Sequence, residues 1–408
     1  MTALSRTDLA VLVPELLLAG HLIDRAAMPH VLAQLGREGM TAVAIEEWLA
    51  ASPVYTKRMQ RALRFEGDGV ETIFKGMQID IGAPPQFMDF RYEVFDHDHG
   101  QFHLDHCGAL LDVEQMGPEY VTAMCHDIED PTFDGTATAT NPRAQCRPIH
   151  RPPRTPADRS PHCAWTVSID ADNPPAPYPR FAEELGRSAA ATMVLGDIDP
   201  AEDGRADYSG PLLADLQWGE WSGSALARMA AEICLQGHLL ALGAAMALGA
   251  RLEPDVVRDV LRRQFAGTAG IASERLCRAL RLPPTVDGLV ALLAIHPALA
   301  PAAYTGITVQ PGPQPIIVLP KRSAAMADGS WPALIDGDHL GPLNALVRGV
   351  DPHFSVRVEA EDDESLRVQV HTELTPHRES DDVALTRFSG GAAFDFNDRG
   401  PSLPLHVI

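Results

Sequence analysis

The sequence predicts an α+β fold built twice over. Each half is a helical segment followed by a small, mainly antiparallel sheet with a short helix, and the halves form a pseudo-twofold pair. Three observations lead there. The first is an internal repeat. ELLLAGHLIDRAAM (Glu15 to Met28) and EICLQGHLLALGAA (Glu232 to Ala245) share Glu15/Glu232, Leu18/Leu235, Gly20/Gly237, His21/His238 and Leu22/Leu239, each pair 217 residues apart. KRMQRALRF and ERLCRALRL share Arg58/Arg275, Arg61/Arg278 and Arg64/Arg281 at the same spacing. Two separated motifs at one offset mark a duplication. The second observation is helical period: Leu12, Leu16, Gly20 and Ile23 recur on one face, as do Val256, Val257, Val260 and Leu261. The third is strand alternation. In FRYEVF, Phe90, Tyr92 and Val94 face away from Arg91 and Glu93.

Taken in order, each half opens with helices and continues into strands. DHDHG, Asp96 to Gly100, joins FRYEVF to QFHLDHC as a hairpin turn in which His97 and His99 are solvated. Gly117-Pro118 opens a helix whose buried face holds Tyr120, Val121, Met124, Cys125 and Ile128, and Asp130-Pro131 is expected to end it. PHCAWTVSID around Cys163 is a third strand. In the second half, Gly341-Pro342 repeats the Gly-Pro helix start, and Ser355 to Leu374 reads as a hairpin. The boundary is placed in the acidic, turn-rich stretch Asp197 to Pro211, giving repeats over 1–205 and 206–408. Two like halves pack most simply as a homodimer would.

Composition narrows the function. The formal charge of −22 repels nucleic acid and anionic membranes, so neither is an expected partner. The most apolar run, Leu235 to Leu248, is too short to span a bilayer and reads as a buried helix. The first residues, broken by Pro14 and Glu15, do not read as a signal peptide. Six cysteines in so long a chain point to free thiols in the cytoplasm. There is no GxGxxG opening a βαβ unit, no phosphate-binding P-loop and no GxSxG elbow, so no nucleotide cofactor is expected. The GTAG at Gly267 to Gly270 reads as a turn.

The chemistry-bearing residues crowd between Gly100 and Pro131. Alternation puts His103, Asp105 and Cys107 on one face of a strand and Phe102, Leu104 and His106 on the other. Cys125 points inward from the helix, with His126, Asp127 and Glu129 beside it. The repeat serves as a control: the counterparts, PIIVLPKRSAA (Pro315 to Ala325) and PLNALVRGVDP, hold neither His nor Cys. A working site in the first half, with the second kept as scaffold, explains that asymmetry. By the same logic Glu15, His21, Glu232 and His238, present in both halves, read as structural or interface residues, and the repeated arginines as helix-face ion pairs.

Two chemistries suit cysteine beside histidine. A thiolate, Cys125 or Cys107, can attack an electrophilic carbon while His126 or His106 moves the proton and Asp127 or Glu129 orients the imidazole. Alternatively His103, Cys107, Cys125 and Cys163 hold zinc or iron with a position left for water. The basic loop Arg143 to Arg159 offers Arg147, Arg151 and Arg154 as clamps for a carboxylate on a small-molecule substrate.

Cys107 in DHCGAL, Cys125 with Asp127 in MCHDIED, and Cys163 in SPHCAWTV, in that order over about residues 60–170, resemble the L-2-amino-thiazoline-4-carboxylic acid hydrolase family. The duplication, His126 and the Arg/Pro loop depart from its pattern. The resemblance implies hydrolysis of a non-peptide C–N bond in a small cyclic amidine or amide. A non-enzymatic metal- or ligand-binding protein and a non-haem iron oxidoreductase are the alternatives, and a homo-oligomer is compatible with all three.

Overall fold

The structure is a computed structural model that describes residues 4–397 and 400–403. It is built on helices that follow the repeat. In the first half, α1 (Arg6–Ala62) starts at Ser5, whose hydroxyl accepts from the Asp8 amide at 3.1 Å. Its helical geometry breaks at Gly36, where φ is 69°. That dihedral lies in the left-handed region, which favours glycine. The short helix α2 (Val70–Met77) follows. A sheet and its helices complete the half. They are β1 (Met88–Val94), β2 (His99–Cys107), α3 (Gly108–Glu114), α4 (Pro118–Thr122) continuing through a π-helical segment Ala123–Ile128 into α5 (Glu129–Ala137), β3 (Gln145–His150) and β4 (Cys163–Ser168). The segment ends with α6 (Arg180–Leu185) and α7 (Ala189–Thr192).

The second half repeats this order. α8 (Gly223–Gly249) and α9 (Pro254–Leu280) trace the path of α1 as two helices. Glu253, the residue that caps α9, stands 217 positions after Gly36, so the kink in α1 marks where the other copy breaks. Then come α10 (Val286–Leu293), α11 (Ala302–Thr305), β5 (Thr308–Gln310), β6 (Ile316–Pro320), α12 (Ala324–Asp328), α13 (Gly341–Arg348), β7 (Phe354–Glu361), β8 (Ser365–Thr372) and α14 (Asp381–Thr386). Both sheets are antiparallel, and their strand orders correspond: β1-β2-β4-β3 and β5-β6-β8-β7. The α+β architecture in two like halves is thus present, with both expected hairpins in place.

Reciprocal ion pairs lock the halves together. Arg58 of the first half meets Glu232 of the second (Nε–Oε2 2.9 Å, Nη2–Oε1 3.1 Å), and Arg275 of the second meets Glu15 of the first (Nη2–Oε2 2.8 Å). Each arginine also donates to backbone carbonyls near the end of its own half: Arg58 to Ala191 and Met193, Arg275 to Gly391 and Phe394. All four side chains are buried, so each charge depends on its partner. The structural reading of Glu15 and Glu232 holds at these positions, whereas Arg58 and Arg275 are not helix-face ion pairs but buried partners across the two halves.

Three local expectations need correction. The helix does not end at Asp130-Pro131. Proline has no N–H, and its ring would crowd the Asp127 carbonyl four residues back. The π-helical widening just before it lets the helix run on to Ala137, and Thr132 Oγ1 caps the Ile128 carbonyl at 2.7 Å. The Gly267 to Gly270 stretch is no turn but lies inside α9. A Cβ on Gly267 would sit 2.2 Å from Thr386 Oγ1, and one on Gly270 2.6 Å from Val383, so the glycines admit α14. Finally, Cys107 changes face. Phe90 pairs with Leu104 but Met88 with Cys107, a β-bulge that adds one residue to β2. Cys107 therefore lies in the core with Phe102 and Leu104 rather than with His103.

Candidate functional site

The cysteines predicted to react are packed in the core under the first sheet. Cys107, Cys125 and the candidate metal ligand Cys163, together with Cys146, which the sequence did not single out, are buried among Phe102, Leu104 and Trp165. Burial pushes the Cys107 thiol up to about 12 and raises Cys125 and Cys163 as well, so none is poised as a thiolate. The bulge that turned Cys107 inward brings it toward Cys125 and Cys163: each thiol feels the charge of Glu129, and Cys107 acts on both others. His126 is not part of this cluster. Its Nε2 donates to the Pro152 carbonyl at 2.7 Å. Asp127 is exposed one step further round.

The metal set fits no better. His103 lies on the opposite face of β2, against Asp105 (3.2 Å) and Ser402 (3.1 Å), away from the three thiols. Among the described residues no group of three or more His, Cys, Asp or Glu side chains is arranged to hold an ion. The expected basic loop is partly strand, with Arg147 on β3 and Arg151 and Arg154 beyond its end, and each of the three meets an acid. Arg147 pairs with Asp134 (2.9 Å), Arg154 with Glu114 through two contacts (2.8 and 2.9 Å), and Arg151 with Asp130 while lying over Trp165.

What the first half does contain is a cavity of about 90 Å³ between α1, the loop after α2, and the π segment with α5. Its walls carry His21, Arg25 and Trp48 from α1, Asp80 and Glu129 from the other elements, and apolar Met88, Phe90 and Phe133. This is room for several waters or a ligand of a few heavy atoms. Its polar groups are unusually free. Both ring nitrogens of His21 are buried without a hydrogen-bond partner, and its ring meets the edge of Phe87 at 5.4 Å. Burial lowers the His21 pKa to about 3, keeping the imidazole neutral. Glu129 Oε2 is buried and unpartnered, and burial raises that carboxyl to about 8. Asp80 Oδ1 accepts from Tyr55 Oη and from the Gly82 amide, each at 2.7 Å, and burial lifts the group to about 6. Behind the wall, burial and the neighbouring Asp24 hold Glu47 well above the usual carboxylate range, while Arg25 is tied to Asp24 at 3.0 Å.

The second copy shows what this region looks like when filled. His238, the counterpart of His21, has both nitrogens engaged: Nδ1 with Ser330 Oγ at 2.8 Å and Nε2 with the Ala300 carbonyl at 3.1 Å. Tyr304 and Trp331 pack on its ring at 5.0 and 5.5 Å. Trp331 also stacks on Phe265 and donates to Gln264, the counterparts of Trp48 and Glu47. At the repeat offset Asp24, Arg25 and Tyr55 become Ala241, Leu242 and Ala272. Helices α2 and α10 are 216 residues apart, and at that spacing Asp80 becomes His296, which likewise accepts a backbone amide two residues on.

Its presence in both halves makes His21 read as scaffold, and the Cys/His pattern does not point to Asp24, Glu47, Tyr55 or Asp80. The signal for them was in the sequence: the same asymmetry test, applied to the helices rather than to the Cys/His stretch, separates them from the scaffold. Comparison of the chain with protein-family models, with curated proteins and with solved structures finds no match.

Proposed function

We propose that the protein is a hydrolase of small molecules whose active site is the first-half cavity, opening a non-peptide C–N bond in a small cyclic amide or amidine. The bond class follows the family resemblance seen in the sequence. The cavity supplies an acid and a base in place of the thiol. The observation that carries this reading is the pairing of Asp80 with Glu129. Two carboxyl groups line one cavity with their pKa values set apart, at about 6 and about 8. At neutral pH Asp80 is mainly ionised and Glu129 mainly protonated, the arrangement general acid–base catalysis requires.

In this scheme Asp80 Oδ2, which takes no hydrogen bond among the described residues, removes a proton from the attacking water. Tyr55 and the Gly82 amide hold Oδ1 and fix the carboxylate. Water oxygen bonds to the substrate carbon, the C–N bond breaks, and Glu129 gives its proton to the leaving nitrogen. Neutral His21 offers one N–H and one lone pair to the substrate. The cysteines take no chemical part. Six unpaired cysteines among the described residues suit a reducing compartment such as the cytoplasm.

The test is a panel of small cyclic amides and amidines, with the ring-opened hydrate followed by mass spectrometry. kcat/KM is expected to rise with pH through about 6 and fall through about 8, following the two groups. Asp80→Asn removes the rising limb and Glu129→Gln the falling one, each lowering the rate by about 100-fold or more. Turnover unchanged in both variants would overturn the assignment. Binding to the cavity without any turnover would leave a ligand-binding protein.

A further inference from the structure

A second cavity, of about 380 Å³, lies in the other half between α9, α13 and the segment that leads into α14. Arg348, the last residue of α13, lines it. This guanidinium is half-buried, and its one hydrogen bond among the described residues is a long one, from Nε to the Phe354 carbonyl at 3.4 Å. Burial lowers its pKa, with no acidic neighbour acting against that. Other shielded arginines in the chain are treated differently: Arg58, Arg275, Arg251 and Arg154 each meet a carboxylate within 3.0 Å. A shielded charge without a counter-charge is costly, and proteins rarely keep one without use.

His377 lines the same cavity, its Nε2 shielded from solvent and without a partner. Arg378 follows, and among the described residues it has no ion pair. Two acids, Glu274 and Glu379, also face the cavity, but Arg387 holds both, Glu274 through contacts of 2.6 and 2.7 Å. The opening therefore presents the two Nη groups of a guanidinium and the Nε2 of an imidazole, uncommitted among the described residues, beside apolar surface from Ala345, Val383 and Pro352. Counting from the Gly-Pro pair that opens each helix, Arg348 stands where the first half has Met124, so this feature too belongs to one copy only.

We propose that this second-half cavity binds a small organic oxyanion, a carboxylate or a phosphate monoester, with its oxygens on Arg348 and His377 and its body against Ala345 and Val383. The planar Arg348 fork suits two oxygens of one group. The site is separate from the acid–base cavity, and the inference does not rest on the function proposed for that cavity.

Calorimetric titration of the full chain tests it, with inorganic phosphate and succinate as probes and chloride at equal ionic strength as the control. One saturable site is expected, and the stronger of the two probes tells phosphate from carboxylate recognition. Arg348→Met is expected to weaken binding by about tenfold or more, and His377→Ala by several-fold. Arg348→Lys keeps the charge and the fold but loses the two-oxygen geometry, so its binding should fall between wild type and Arg348→Met. Equal affinity in wild type, Arg348→Lys and His377→Ala would overturn the proposal, as would no binding beyond that of chloride.

Discussion

The two halves share a frame but have opposite interiors. Around His238 the second half is closed: Trp331 and Tyr304 cover the ring, Ser330 and the Ala300 carbonyl take its nitrogens, and Gln264 receives the Trp331 indole. Around His21 the first half is open, and the groups facing the gap are a bare imidazole, a shielded carboxyl and an aspartate whose pKa burial raises. Buried polar groups are normally satisfied. At the histidine itself one copy obeys that rule and the other does not, so the bare imidazole is a feature of the first half rather than of the fold. Duplication lets one copy carry an unfavourable interior while its twin contributes well-packed core.

The largest effects should be the same in both halves, because they fall on the shared frame. Glu232→Ala and Glu15→Ala each leave a buried guanidinium without its carboxylate, and each should cost about 3–5 kcal/mol in chemical denaturation. A large cost for one and none for the other would break the symmetry. Trp331→Ala comes next, at about 3–5 kcal/mol, because it opens in the second half a counterpart to the first-half cavity. Added indole should restore part of that loss if Trp331 is what fills the space.

The third prediction separates the halves by pH. Burial raises Glu129 from 4.5 to about 8 in the folded chain. Between those values the folded state binds more protons than the unfolded one, so this group's contribution to stability falls as pH rises through that window. Glu129→Gln removes the penalty. The variant should match wild type near pH 4 and exceed it at pH 8.5 by an amount on the order of a few kcal/mol, read from Tm against pH. A smaller effect is expected of Cys125→Ser, which puts a hydroxyl into the core at a cost of about 1–3 kcal/mol. In the wild type the Cys125 thiol should resist alkylation until the chain unfolds. The smallest is Arg147→Ala, at about 0–1 kcal/mol, since its pair with Asp134 is half-exposed.

The duplication was legible because helix and strand periods survive drift, and because two motifs kept one offset. A structural role for Glu15 and Glu232 was legible for the same reason, but the burial of Arg58 against the other half was not, since the repeated arginines read as helix-face ion pairs. The site was not. Alternation placed Cys107 beside His103, and a single inserted residue in β2 moved it to the core; a bulge leaves no mark in an alternating pattern. Proline at 131 read as a helix stop, and only the π-helical widening before it, a packing outcome, explains why the wall of the cavity continues. Free cysteines and histidines drew attention because their chemistry is conspicuous in sequence. In the sequence Glu129 reads only as an orienting acid and nothing marks Asp80, because burial, not residue type, gives them their character. The apolar helix α8 is long enough to cross a membrane, yet 83% of its most apolar stretch is buried inside the protein, as the central helix of a doubled core should be.

The most direct test of an open first half and a filled second is a crystallographic soak of the full chain with small cyclic amides and amidines. The account predicts ordered density between α1 and the π-helical segment, in contact with His21 and Glu129, and none beside Trp331. Fragments that bind elsewhere while the His21 cavity stays empty, or that enter both halves alike, would contradict it.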